Sequence, residues 1–229
     1  MEQQIKDYPQ KSYDHAVVAV DVVIFSILNQ KLSVLLLKLK EDPLAGKWAL
    51  PGGLVTKNES LTEAVKRHMK NRVGTENVHV EQLYTFGDPN RDPKGWVVSV
   101  AYMALLSSNK FEPKTSERYE TISWHPIQGL PDMAYDHKEI VLTAVKRLKN
   151  KITYTNIIKD LMAAEFTLTE LQDMHELILE KPLDKRNFRK KILTLGILAK
   201  LEKLKEGTPM RPAQLYSFKD DNLQEISII

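Results

Sequence analysis

The sequence has no cysteine. Disulfides, thiolate metal sites, iron–sulfur clusters and a thiol nucleophile are excluded together, and a chain without disulfides fits a reducing cytoplasm. Glycine is scarce, at 9 of 229 residues, and no segment is repeated or of low complexity. With 42% hydrophobic residues the composition is that of an ordinary globular protein. Long hydrophobic runs are missing too. The longest, residues 16–28, is too short to cross a bilayer and carries Asp21 inside it. The opening "MEQQIKDYPQ" lacks the apolar core of a secretory signal, so neither secretion nor a membrane partner is expected. The net charge of +3 is too small to imply a nucleic-acid partner; its distribution says more.

At about 100–200 residues per domain, the chain can hold one large domain or two small ones. From Ala16 to Trp124, strand-like and helix-like pieces alternate. "AVVAVDVVIFSIL" and "LSVLLLKLK" are rich in β-branched residues and leucine, with "LNQK" as the hairpin loop. Residues 60–72 have Leu61, Ala64, Val65 and Met69 at helical spacing. "VHVEQLYTFG", "WVVSVAYMALL" and residues 119–124 predict further strands, and residues 138–148 a helix. This is an α/β layout, a mixed sheet flanked by helices. After the charged stretch "KRLKNK" the strands stop, which places a domain boundary near residue 150, dividing 1–150 from 151–229.

Three helical pieces are expected beyond it. The first covers residues 154–163; the second opens on the capping-box spacing of Thr167 and Glu170; Asp184 caps the third, "DKRNFRKKIL". In the third, Phe188 and Ile192 share one face while Lys185, Arg186, Asn187, Arg189 and Lys190 lie outward. Over residues 185–211 nine basic residues, Arg211 among them, stand against Glu202 and Glu206. A short-turn helix pair with a basic second helix has the order of a helix-turn-helix, and "ILAKLEKL … AQLYSFK" can form the two strands of a wing. The pattern alone leaves two readings open, a DNA-binding face or the solvated face of a lysine-rich helix.

The stretch "GGLVTKNESLTEAVKRHMKNRVG" (Gly52–Gly74) has the outline of a phosphate-chemistry motif. Gly53, Glu59, Arg67 and Gly74 fall at the spacing of the Nudix hydrolase signature, and this segment resembles that family. Nudix chemistry needs a cluster of glutamates on one helical face to hold divalent ions. Here positions 68, 71 and 72 carry His68, Asn71 and Arg72. Metal-dependent hydrolysis by the usual route is therefore not expected, and neither is a metal or another cofactor. A rival reading keeps an active nucleoside-diphosphate-sugar pyrophosphohydrolase with Glu59, Glu63 and Asp92 as non-standard ligands.

An impaired Nudix box followed by a basic helix-turn-helix resembles the Nudix-related transcriptional regulators, the NrtR family. The likeness extends to "TFGDPNRDPKGWVVSVAYMAL", "DMAYDHKEI" and "LDKRNFRKKI". It implies a Nudix-like α/β/α sandwich with a small winged helix-turn-helix domain behind it. It also implies a homodimeric, non-enzymatic repressor whose operator DNA is released by a small effector, ADP-ribose or a related nucleotide, or else a sugar such as L-arabinose. DNA contacts are expected from Lys185, Arg186, Asn187, Arg189, Lys190 and Arg211. Effector contacts are expected from Arg72 and from Arg91, Asp92, Lys94 and Trp96 of "GDPNRDPKGW", a loop that could also be a plain hairpin excursion. Arg67 either joins them or braces the loop through Glu59. Trp48 either stacks on a base or fills the core, and Lys38 either points into the pocket or snorkels. His137, beside Asp136, has the look of a structural pair rather than a catalytic one.

Overall fold

A computed structural model describes residues 15–74, 78–107, 119–205, 212–220, 222–226 and 228. Its first part is built on one long hairpin. β1 (Val17–Leu28) turns at Asn29 and Gln30, both at positive φ, into β2 (Lys31–Leu39). Positive φ at both turn positions gives the tight two-residue loop that matches strand twist. On its other edge β1 runs parallel to β6 (Val97–Leu105), from Val17 opposite Val97 to Phe25 opposite Leu105. β5 (Val80–Phe86) extends the sheet beyond β6, and β7 (Tyr119–Pro126) pairs along β2.

The hairpin strands pair with each other only at its closed end, from Phe25–Val34 to Leu28–Lys31. Below that the sheet opens. β1 there bonds β4 (Gly52–Leu54), and β2 bonds β3 (Trp48–Ala49). The segment "WALPGGL" thus fills a split in the sheet. Gly52 is required in it, because a Cβ there would lie 2.3 Å from the Val20 carbonyl oxygen.

Both faces of the sheet are covered, so its central strands are apolar without alternation. On one face Val20, Val22 and Ile24 pack with Ala64, Val65 and Met69 of α1 (Leu61–Val73). Ser60 and Glu63 close a capping box at its start. On the other, Val23 and Phe25 pack with Ile140, Val141, Ala144 and Leu148 of α2 (His137–Tyr154). That helix is longer than the sequence pattern predicted and runs straight through residue 150.

The helix expected over residues 154–163 does not form. After Tyr154 the chain extends at Thr155 and makes only a short 3₁₀ turn, Ile157–Asp160. β8 (Phe166–Thr167), α3 (Leu168–Leu179), α4 (Lys185–Thr194), β9 (Leu198–Lys205) and β10 (Ala213–Phe218) follow, with β10 between β8 and β9. This is a winged helix. Both expected caps are present, the Thr167–Glu170 box on α3 and Asp184 on α4. The wing tip, including Arg211, lies outside the described residues. One apolar core runs from Phe25 and α2 through Phe166 and Leu171 to Phe188 and Ile192. Among the described residues no helix is long and apolar enough to cross a membrane.

Candidate functional site

A cavity of about 500 Å³ opens where the sheet splits, within the usual range for small-molecule sites. Its floor is a buried charge cluster. Asp21, the one charged residue of β1, accepts from Ser99 Oγ at 2.6 Å and lies 3.5 Å from His137 Nε2 and 3.6 Å from Arg91. Burial pushes its carboxyl up, but His137, Ser99 and Arg91 outweigh that and leave it below its ordinary value. The Leu50 amide donates to His137 Nδ1 at 2.9 Å, which leaves Nε2 as the nitrogen facing Asp21. His137 therefore pairs with Asp21, not with its neighbour Asp136. Arg91 takes Asp136 instead, donating from Nε at 2.8 Å and from Nη2 at 2.6 Å.

The walls carry Lys40, Arg72 and Lys94 against Glu41 and Asp92, with Trp96, Tyr119 and Tyr135 as aromatic surface. Tyr135 sits in the left-handed region, at φ 54, between Ala134, whose amide donates to the Trp48 carbonyl, and α2. A bulky residue held there is strained by about 1–3 kcal/mol, a feature that clusters at ligand sites.

Five of the eight expected effector residues line this cavity: Arg72, Arg91, Asp92, Lys94 and Trp96. Three do not. Lys38 is drawn away to Glu120 at 3.0 Å. Trp48 packs against the core with its ring edge on His125. Arg67 braces the loop, binding Glu59 through Nε at 2.8 Å and Nη2 at 2.5 Å and the Leu54 carbonyl at 3.0 Å. Those bonds hold the Glu59 carboxyl down at about 2. Asp21, Tyr119 and Tyr135 were missed. A lone carboxylate in a run of buried β-branched residues must be paired, and that was the available signal for Asp21.

The helix that would carry metal-binding glutamates carries a hydrogen-bond chain. Arg72 Nε donates to His68 Nδ1 at 3.1 Å, and His68 Nε2 meets the Leu54 carbonyl at 3.0 Å. A guanidinium only donates, so Nδ1 accepts and the ring is neutral. Burial, then the nearby arginines, keep its pKa below the ordinary value. Gly53, at φ 149, admits this pair, since a Cβ there would meet His68 at 2.7 Å and Arg72 at 2.9 Å. The Arg72 guanidinium also lies 5.3 Å from the centre of the Tyr119 ring. These residues do not fit a divalent ion. Glu63 is engaged by Ser60, and Asp92 accepts from the Lys94 amide. Among the described residues no three histidine, aspartate or glutamate side chains are grouped to hold a metal.

At the other end of the molecule, α4 buries Phe188 and Ile192 and leaves Lys185, Arg186, Asn187 and Lys190 exposed. Arg189 is half-buried and donates to Thr169 of α3 at 2.8 Å, so it ties the two helices together. The basic face is smaller than composition suggested, because Lys203 pairs with Glu165 and Lys205 with Glu170. The turn between the helices is held by Glu176, which accepts from the Leu183 amide, and by Gln172, which donates to the Leu183 carbonyl.

His175 lies at the centre of this helix pair, fully buried, its ring 5.1 Å from Phe188. Burial lowers its pKa from 6.5 to about 4. Below pH 6.5 the unfolded chain takes up a proton that the fold refuses, so stability present at neutral pH is lost as pH falls towards 4. From pH 7 to 5 this one group should remove about 2 kcal/mol. Urea unfolding should show that fall in the wild type and a shallower one in His175→Leu.

The two halves match two family models, the NUDIX domain over residues 17–144 and the NrtR DNA-binding winged helix domain over residues 158–218. The chain is 34% identical over 218 residues to the ADPR responsive transcriptional repressor NtrR of Acinetobacter baylyi, covering 93% of this chain and 86% of that protein. Its fold resembles that of Shewanella oneidensis NrtR complexed with a 27mer DNA, with a TM-score of 0.76 and 31% identity over 88% of this chain and 93% of that one. The NUDIX domain of the same Shewanella protein, complexed with ADP ribose, matches 62% of this chain and 94% of its own at 32% identity and a TM-score of 0.54. The degenerate box, the cavity above it and the basic winged helix thus come together in one chain, which belongs to the NrtR family of Nudix-related transcriptional regulators.

Proposed function

We propose that this protein is a transcriptional repressor that holds a two-fold operator as a homodimer and releases it when ADP-ribose fills the Nudix cavity. The observation that carries this reading is the Arg72–His68–Leu54 chain. It puts a fixed cation where a hydrolase would gather metal, and it fixes that cation with its own hydrogen bonds. A diphosphate could then be neutralised by charge-assisted hydrogen bonds without a metal, and aromatic surface at Trp96, Tyr119 and Tyr135 suits a base or ribose. A sensor of this design binds its effector without consuming it. The sensing part and the reading part meet along α2, so the division of labour falls at its far end. Two copies would set their α4 helices in successive major grooves, about 34–36 Å apart. The relatives described above, one ADPR responsive and one complexed with DNA, support the same assignment.

The test is fluorescence anisotropy on the protein's own upstream DNA in metal-free buffer. ADP-ribose should dissociate the complex and L-arabinose should not. With Mg²⁺ or Mn²⁺ added, chromatography should show ADP-ribose intact; sustained turnover would revive the pyrophosphohydrolase reading. Arg72→Glu should weaken ADP-ribose binding about tenfold to a hundredfold, the worth of a hydrogen bond to a charged group. Unchanged affinity would remove Arg72 from the site.

A further inference from the structure

After β10 the chain returns to the far end of α2. Ile226 N donates to the Tyr154 carbonyl at 2.7 Å and Ile228 N to the Thr153 carbonyl at 2.9 Å. The last carbonyls of a helix have no partner within it, and here the returning segment supplies two. Glu225 forms an antiparallel bridge with Thr155. Next comes Asn156, which is 1% exposed and turns its amide and both side-chain polar atoms to this segment, while its carbonyl accepts from the Lys159 amide. Its amide donates to the Gln224 carbonyl at 3.2 Å, its Oδ1 accepts from Gln224 N at 2.7 Å, and its Nδ2 donates to the Asn222 carbonyl at 3.1 Å. Ile228, 4% exposed, enters the common core and also lines a groove along α4 beside Phe188.

The segment thus touches both the end of α2 and the flank of α4. The opposite end of α2 touches the cavity. Asp136, at its N-cap, grips Arg91 of the cavity loop, and His137 belongs to the cavity floor. Between them lie 18 helical residues, about 27 Å at 1.5 Å per residue. About two thirds of the way along, Lys149 reaches Glu180 at the end of α3 at 2.5 Å.

We propose that residues 222–226 and Ile228 form a strap, latched on Asn156, that fastens the winged helix to α2 and makes cavity and recognition helix one cooperative body. Resting on the effector reading above, this strap is what turns occupancy of the cavity into a displacement of α4. Without it the shared core and the Lys149–Glu180 pair alone would join the two halves, and the coupling between the ends of α2 should weaken.

Two variants of the full chain test it. Deletion of residues 221–229 removes the strap together with buried Ile228. Gln224→Pro removes the amide that donates to Asn156, together with a side chain that bonds Asp220, and leaves the core side chains alone. Scanning calorimetry should show one unfolding transition in the wild type and two in each variant, with ADP-ribose raising both halves together only in the wild type. The ratio of operator affinities without and with ADP-ribose should fall about fivefold or more in both variants. ADP-ribose affinity in the absence of DNA should stay within about threefold. A single transition and an unchanged ratio in Gln224→Pro would overturn the strap. If ADP-ribose moved nothing in the wild type, the effector reading would fail, and the split transition would still decide the strap.

Discussion

Asp136→Ala should cost about 3–5 kcal/mol of stability, the usual penalty for breaking a buried ion pair from one side. Arg91 is 7% exposed, and Asp136 accepts two of its hydrogen bonds, at 2.6 and 2.8 Å. Its remaining carboxylate, Asp21, lies 3.6 Å away and is shared with Ser99 and His137. The alanine variant therefore leaves a buried guanidinium that has lost both of those hydrogen bonds and faces an already shared carboxylate at 3.6 Å. Loss of a helix cap adds nothing, since the Asp136 side chain makes no capping bond. The effect should appear in urea unfolding as a lower midpoint at unchanged slope. Replacing both partners, as Arg91→Met with Asp136→Leu, should recover most of the loss, because an apolar pair needs no desolvation of charge. The double variant should nevertheless bind ADP-ribose poorly, since the loop carrying Asp92, Lys94 and Trp96 would lose its anchor on α2. A loss below about 1 kcal/mol in Asp136→Ala would mean that water reaches Arg91 and that the cluster is not a sealed floor.

That cluster also shows where sequence stopped being informative. Patterns of short range were legible: the continuous apolar strands on either side of Asn29, the α1 periodicity, and the capping box at Thr167. The loop "GDPNRDPKGW" was placed at the cavity from its turn residues and its charges, and the structure lines the cavity with it. Direction was not legible. Trp48 stands two residues before the Leu50 amide that binds His137, yet its ring turns to His125 and the core. Lys38 precedes an irregularity in β2 and leaves towards Glu120. Neither orientation follows from neighbours in sequence, because each is decided by a strand that pairs from far along the chain.

The helix expected at residues 154–163 failed for a related reason. Residues 157–163 are compatible with a helix on propensity alone. Where α2 ends at Tyr154 the chain bonds instead to the returning segment, whose partners for Asn156 lie 66 and 68 positions away. The degenerate box was the opposite case. Its missing glutamates were plain in the sequence, but only geometry shows that Arg72 is bonded to His68 and His68 to Leu54, so that this helix face closes on β4 through its own hydrogen bonds.

Removing Lys185, Arg186 and Lys190 together should weaken operator binding roughly a hundredfold at 0.15 M salt and reduce the salt slope by about 2.7, if each neutralises one phosphate. These three side chains are exposed on α4, whose opposite face is fixed by Phe188 and Ile192. Truncating them to alanine leaves that apolar stripe intact, so the winged helix should fold as before and the loss should be electrostatic. Arg189 is the internal control. Its guanidinium is bonded to Thr169 on α3, so Arg189→Ala should lower the unfolding midpoint first and affinity through it. Arg186 separates base reading from phosphate contact. If it reads a base edge, Arg186→Ala relaxes preference at one operator position by about 1–3 kcal/mol; if it meets only phosphate, all sequences weaken alike. A salt slope unchanged in the triple variant would show that α4 is a solvated lysine-rich face, and the repressor reading would then have to find its DNA contact elsewhere on the winged helix.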